Sequence, residues 1–411
     1  MKCLVIGAGA QGAAAAAILA RASDAEEVIL ADYDLGRAEA VKKQLASQPA
    51  ADADKFTTAQ LDAGDVEAVA RLATGCDVIL NFVHMDFSAG IRAAALLAGT
   101  HYVDSASDLT WQHDVAFEGR SNDHEAFKAA GLTAFSGSGD TPGVSNAMAR
   151  YAADMLDEVD SLIIRCGYIG PETGAVVFPF DPGWSPEVAL QDFNDKACVF
   201  TGGAPTLQGP FANPEVYAFP EPVGTQTICS HSHDESYTLP HYIGKGIKEC
   251  DFKYTIDHAA GTLVAMGFGD PQRVIELGDG TKVRPFEVAM ALTPRPGDGF
   301  FVEPGAEPEG GWNAWMVIDA RGRSGGRPKQ VLVRRRYSDD PATVRMEFDT
   351  LGTASPHVAA AAVAGARMIV AGKAPAGVIP VEVVDPVVYL TEVNALLPLD
   401  IAVEVTSPFG V

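Results

Sequence analysis

The stretch VIGAGAQGAAAAAILA, residues 5–20, constrains the fold more than any other part of the chain. The apolar, β-branched KCLVIG before the first glycine reads as a buried parallel strand, and the alanine tract after the last one reads as a helix. Between them Gly7, Gly9 and Gly12 follow the spacing G-x-G-x-x-G. A strand, a glycine turn and a helix in this order form a dinucleotide site. Gly7 permits the tight turn, Gly9 lets the loop with Ala10 and Gln11 approach a pyrophosphate, and Gly12 lets the helix pack on the strand. The helix N-terminus adds the positive end of its dipole.

A second strand, EEVILADYD, carries Asp32 at its tip, about 20 residues beyond Gly12, where a carboxylate accepts the ribose hydroxyls of NAD and repels the 2′-phosphate of NADP. Arg37, a few residues on, keeps NADP open as a second cofactor. The alternation then continues. DKFTTAQLD, CDVILNFV, THYVDSA and LTAFSGSG read as strands, with VEAVARLA and AGIRAAALLAG as helices between them. This pattern predicts a doubly wound parallel sheet whose ligands lie beyond the carboxyl ends of the strands, where Asp62, Asn81, Asp104 and Asp140 fall.

From about residue 150 the texture changes. SLIIRCGYIG, DFKYTIDHAA, NAWMVIDARG, KQVLVRRRYS and VRMEFDT read as antiparallel strands, separated by Pro/Gly-rich loops at 169–187 and 294–311. SPHVAAAAVAGARMIVAG, started by Ser355-Pro356 and stopped by Gly372, reads as a helix that packs back on the first domain. The predicted organisation is a dinucleotide-binding domain over 1–145, an inserted, sheet-rich α+β domain for substrate and dimerisation over 146–350, and a C-terminal helix and tail over 351–411 that returns to the first.

A formal charge of -24, from 30 basic and 54 acidic residues, repels phosphate backbones and anionic lipid, which argues against nucleic acid and membrane partners. No apolar stretch reaches the ~20 residues of a membrane span, and no signal-peptide pattern precedes the first strand. The six cysteines form no C-x-x-C pair, so neither a zinc ribbon nor a disulfide framework is expected and a reducing cytoplasm is the simplest home.

VIGAGAQG, DVILNFVHMDFSAGIRAAALLAGTHYVD, SGSGDTPGVSNAMARY and SHSHDESYTLPHYI together resemble the saccharopine dehydrogenase family, which includes saccharopine reductases, lysine 6-dehydrogenases and carboxynorspermidine dehydrogenases. The resemblance spans nearly the whole chain and is strongest in the first 150 residues. It implies a Rossmann domain with an inserted sheet-rich domain, an active site in the cleft between them, homodimers, and NAD(P)-linked chemistry at a carbon–nitrogen bond of an amino-acid-like or polyamine-like small molecule.

Such chemistry needs a group that manages one proton on the amine. Tyr102 and Asp104 share one face of a strand, with Asp104 at its carboxyl end, and are candidates for catalysis; the alternative is that Asp104 hydrogen-bonds the following turn. Asn81 is a candidate for the nicotinamide ribose, Asp62 for the cofactor. Asp140 and Thr141 precede a helix and read either as its cap, with Pro142 in the first turn, or as a carboxylate-binding start. His231, His233 and Glu235 alternate in SHSHDES and would share a strand face. His233 is a catalytic candidate and Glu235 a substrate contact, while a zinc site lacks an evident fourth ligand, so no metal is expected. Arg165, a charge in an apolar strand, either anchors a substrate carboxylate or belongs to a salt bridge, and VRRRY at 333–337 reads as solvated or paired. Phe178, Phe180 and Trp184 line a substrate pocket or a dimer surface. Rival readings are a C=O or C=C reductase on the same scaffold, for which no Tyr-x-x-x-Lys pair is found, and a protein that senses NAD without turnover.

Overall fold

The structure is a computed structural model, describing residues 1–411 except 120, 171–179, 181, 183, 294–312, 339, 354–355 and 408–411. Phe178, Ser355 and all of the 294–311 loop lie outside the described residues.

The first sheet is parallel throughout. Its strands are β1 (Lys2–Ile6), β2 (Glu27–Asp32), β3 (Phe56–Gln60), β4 (Val78–Asn81), β5 (His101–Asp104) and β6 (Thr133–Phe135). Their order across the sheet is 3-2-1-4-5-6, so the chain reverses direction between β1 and β4 and leaves a crevice at the carboxyl ends of those two strands.

The second sheet is built from β7 (Glu158–Ile169), β8 (Ala197–Thr201), β9 (Ala204–Gln208), β10 (Glu215–Ala218), β11 (Thr225–Ser230) and β12 (Glu249–Thr255), with a separate two-residue hairpin of β13 (Ile275–Glu276) and β14 (Lys282–Val283). It is completed by the long pair β15 (Asn313–Ser324) and β16 (Arg327–Ser338). After a return to the first sheet, where β17 (Gly377–Ile379) pairs in parallel with β6, the chain ends in β18 (Asp400–Thr406), antiparallel to β16. The tail therefore divides: its helix His357–Val370 and β17 lie with the first sheet, whereas the alternating IAVEV of β18 extends the second.

Three further expectations are corrected. The pair β7/β12 is parallel, with Glu249 opposite Ser161, inside an otherwise antiparallel sheet. VRMEFDT is not a strand but lies in the helix Pro341–Leu351: Asp340 accepts from the N–H groups of Ala342 and Thr343, Pro341 takes the first position, and Val344, Glu347 and Leu351 bury one helical face. SHSHDES does not form an extended face. Residues 231–233 are loop, and the helix Glu235–Ile243 follows, with Tyr237 and Thr238 donating to the Asp234 carbonyl.

The two sheets share one core. Alanines 13–17 and 20 of the helix Ala10–Arg21 meet alanines 359–362, 364 and 366 of the helix His357–Val370, small side chains that let the backbones approach closely. The same cluster continues through the helix Val144–Asp154 to Leu162, Ile164, Met316, Ile318, Val331 and Val333 on the inner face of the second sheet.

Candidate functional site

The glycine loop fits a dinucleotide by its backbone. A Cβ at Gly12 would lie 1.7 Å from the Gly7 carbonyl oxygen, so only glycine lets the helix start this close to β1. A Cβ at Gly9 would meet nothing within 4 Å, which leaves its side open to an incoming pyrophosphate. The helix Ala10–Arg21 starts at Gly9 with no side-chain cap, so the N–H groups of its first turn, including Ala10 and Gln11, face the position where a phosphate is stabilised. Asp32 stands at the tip of β2, its two oxygens accepting from Ala8 N at 2.7 Å and Asp34 N at 2.9 Å. Each oxygen keeps a lone pair for a ribose hydroxyl. Asp62, exposed beyond β3, accepts from Gly64 N at 2.9 Å.

Asn81, Tyr102 and Asp104 form a buried chain rather than an open site. Asn81 Nδ2 donates to Tyr102 Oη at 2.9 Å, and Tyr102 Oη donates to Asp104 Oδ2 at 2.8 Å. Asp104 Oδ1 accepts from Gly137 N at 2.6 Å, tying the end of β5 to the loop after β6. Asn81 Oδ1 accepts from Val83 N. Burial pushes the Asp104 carboxyl up to about 7 against the pull of Arg92, and raises the Tyr102 phenol far above its usual range. Asp104 is 2% exposed, so of its two sequence readings the turn-bonding one matches this geometry.

The loop that carries His233 is joined to the strand ends by a residue the sequence reading passed over. Asp234 accepts from Ser107 N at 3.0 Å, from the Ser107 hydroxyl, and from Gln112 Nε2 at 3.0 Å, all in the segment after β5. Burial lifts Asp234 to about 6. Beside it, His233 Nδ1 meets Glu235 Oε2 at 2.5 Å, and its ring stacks on Phe252 at 4.0 Å. Burial alone would pull the imidazole down; the fully buried Glu235 carboxylate outweighs it and raises His233 to about 9, so it stands as imidazolium at neutral pH. His231 is packed against Phe193 and Tyr254, and burial drives it down to about 3, a neutral ring. On the helix Pro186–Asn194, Asp192 has its carboxyl raised by burial, against the pull of the charge on His233. Among the described residues no group of three His, Cys, Asp or Glu side chains converges as a metal site.

Other candidates stand apart. Arg165 lies on the outer face of the second sheet, because alternation along β7 turns Ile164 inward and Arg165 outward. It pairs there with Glu215 at 2.9 Å and Asp319 at 3.4 Å, which makes it a structural ion pair and not a cleft residue. Asp140 is held by the buried Arg335 of VRRRY; burial pushes its carboxyl up, but the guanidinium keeps it below the usual range. Asp140 and Thr141 do not cap the next helix and Pro142 does not enter it; the helix starts at Val144 with Gly143 as its cap. Phe180 is buried with Leu190 and Phe193, and Trp184 is partly exposed.

With a crevice at the carboxyl ends of β1 and β4, an uncapped glycine loop and an acidic ribose reader, the first domain is that of a nicotinamide-dinucleotide oxidoreductase. Residues 3–135 match the family model described as the saccharopine dehydrogenase NADP binding domain. The first domain is thus similar to the NADP binding domain of the saccharopine dehydrogenase family. The chain is 24% identical over 392 residues to carboxynorspermidine synthase of Vibrio cholerae, covering 88% of each chain, and 25% identical over 313 residues to carboxyaminopropylagmatine dehydrogenase of a Synechocystis species, covering 72% of this chain and 73% of that one. Its fold is similar to that of saccharopine dehydrogenase (L-Glu forming) from Saccharomyces cerevisiae, with a TM-score of 0.68 at 13% identity over 99% and 100% of the two chains. Homospermidine synthase from Legionella pneumophila, solved in complex with NAD, gives 0.66 at 12% over 99% and 91%. The chain is an NAD(P)-dependent enzyme of this type.

Proposed function

We propose that this enzyme exchanges a hydride between NAD(H) and a carbon–nitrogen bond of a carboxylated, polyamine-like substrate, with His233 managing the proton on nitrogen. The observation that carries the reading is the link Ser107–Asp234, which brings the His233–Glu235 pair to the carboxyl ends of the sheet that holds the cofactor. The two relatives' names both denote carboxylated polyamines, and they support the substrate class.

When bound, the nicotinamide supplies or accepts the hydride. Gly9 and the first turn of the helix Ala10–Arg21 hold its pyrophosphate, and Asp32 its adenine ribose, which favours NAD over NADP. In the reductive direction the imidazolium of His233 donates its proton to the nitrogen while the carbon receives the hydride, so a C=N bond becomes C–N; oxidation runs the same transfers backwards. Glu235 stabilises the imidazolium before it gives up the proton in reduction and after it gains one in oxidation. Asp104, with Tyr102 and Asn81, fixes the β5 and β6 ends beneath this site. Asp192, whose charged form burial disfavours, would ionise against a second cationic nitrogen of the substrate.

No described helix is long and apolar enough to cross a membrane, and the six cysteines are free thiols, which suits a reducing cytoplasm. Exposed Val387, Val388, Val403 and Val405 supply an apolar surface for a homodimer, and sedimentation at several concentrations tests it. The activity itself is tested by nicotinamide absorbance across carboxylated polyamines, diamines, lysine, ornithine and saccharopine with NAD and NADP. NADH formation from a carboxylated polyamine supports the reading; turnover only with carbonyl or alkene substrates overturns it.

A further inference from the structure

Ser145 has no part in the chemistry above, yet it is fully buried and its hydroxyl reaches the catalytic pair. It sits at the second residue of the helix Val144–Asp154, and its Oγ donates to Glu235 Oε1 while His233 holds Oε2. A serine hydroxyl has one proton, and its two acceptors within reach are Glu235 and Asn146 Oδ1 at 3.2 Å. The carboxylate is the stronger acceptor because it is charged. Asn146 is meanwhile fixed by others: its Oδ1 accepts from Gly143 N at 2.9 Å, and its Nδ2 donates to the buried Glu382 at 2.9 Å. These bonds lock the helix start that aims Ser145.

We infer that Ser145 is a positioning residue, whose hydroxyl takes up part of the charge of the Glu235 carboxylate through one oxygen and so tempers how tightly the other oxygen holds the His233 imidazolium. The inference rests on the proton role given to His233 and adds a residue that never touches substrate.

Losing the Ser145 donor leaves the Glu235 carboxylate less satisfied. That penalty is greatest when the imidazole is neutral, because the imidazolium otherwise compensates the charge. The Ser145→Ala variant should therefore hold its proton on His233 to higher pH. The other titratable groups around the pair are Asp234 and His231 on its own loop, Asp192 from the helix Pro186–Asn194, Cys166 on β7, Cys250 on β12 and Glu382, and Ser145→Ala leaves all of them in place.

The test is the titration of His233, followed by NMR in histidine-labelled protein and assigned with His233→Asn, in wild type, Ser145→Ala and Ser145→Thr. The expected result is an upward shift of about one unit in Ser145→Ala, the size of a lost hydrogen bond to a charged group, restored at least in part by the threonine hydroxyl. Fluorescence titration of NADH should show unchanged cofactor affinity. A titration in Ser145→Ala that superimposes on wild type overturns the inference. The readout needs no turnover, so it separates this failure from that of the His233 role, which shows instead as full activity in His233→Asn.

Discussion

The cofactor cradle and the His233 loop lie at the same end of one sheet and are built in opposite ways. The cradle is mostly backbone: its glycines and uncapped helix act through groups every residue has, with a single side-chain carboxylate at Asp32. The His233 loop is side chain. Half-buried His233 and buried Asp234 and Glu235 are consecutive in the chain, and they are satisfied by one another and by Ser107, Gln112 and Ser145 from separated segments. A backbone site depends on chain geometry and resists most substitutions outside its glycines, whereas a network of buried charges is sensitive to each member.

Removing the imidazole should separate the two regions most sharply. His233→Asn is expected to lower kcat/KM by about 10²–10⁴-fold, the usual worth of a positioned acid or base, while NADH affinity in a fluorescence titration stays near wild type. A matching loss of affinity would mean that the loop shapes the cofactor site as well. The converse experiment is Asp32→Ala. It should weaken NAD by about tenfold or more and NADP much less, with kcat at saturating cofactor nearly unchanged; equal weakening of both cofactors would remove Asp32 from ribose recognition.

This division also explains what could be read from the sequence. The first sheet was legible because G-x-G-x-x-G, the acid at Asp32 and the alternation of apolar strands with helices are local patterns, and their order fixes the 3-2-1-4-5-6 arrangement. His233 and Glu235 were found as a polar run, but their alternation suggested a strand, and Asp234 between them was passed over. Its partners Ser107 and Gln112 lie more than a hundred residues away, and nothing local announces them. VRRRY hid a buried charge in the same way: Arg335 lies inside because Asp140, from the other sheet, comes to meet it. VRMEFDT misled differently, since Asp340 and Pro341 start a helix and that capping signal outweighed the β-branched content.

A smaller effect sharpens the electrostatic side of the comparison. His233 is raised to about 9, so the imidazolium needed for reduction persists through neutral pH and is lost as pH rises through that value. Reductive kcat/KM should be flat below about pH 8 and fall tenfold per unit above about 9, while oxidative kcat/KM climbs with the same slope to a plateau there. The His233→Asn residual activity should lack both limbs. A wild-type profile that breaks near the ordinary histidine value instead would mean that Glu235 does not hold the ion pair in solution.

The smallest expected effect on turnover concerns Asp104, which lies between the two regions and belongs to the scaffold. Its carboxyl ionises near 3.8 in an unfolded chain and at about 7 in the folded protein, because burial disfavours the charge. Between those values the folded state binds more protons than the unfolded one, so stability falls as pH rises from about 4 to about 7 and levels off above. Asp104→Asn removes that slope. It keeps an acceptor for Gly137 N and loses only the charge-assisted part of the bonds from Tyr102 and Gly137, so below pH 4 it should match wild type closely. At pH 8 it should be the more stable of the two by several kcal/mol, about 1.4 kcal/mol for each of the roughly three units between the two values, with denaturant midpoints across pH as the measurement. Turnover should change little, because the residue is 2% exposed and its oxygens are committed to Tyr102 and Gly137. A large loss of kcat with unchanged stability would instead place Asp104 in the proton path, and the buried chain from Asn81 through Tyr102 would then be its route.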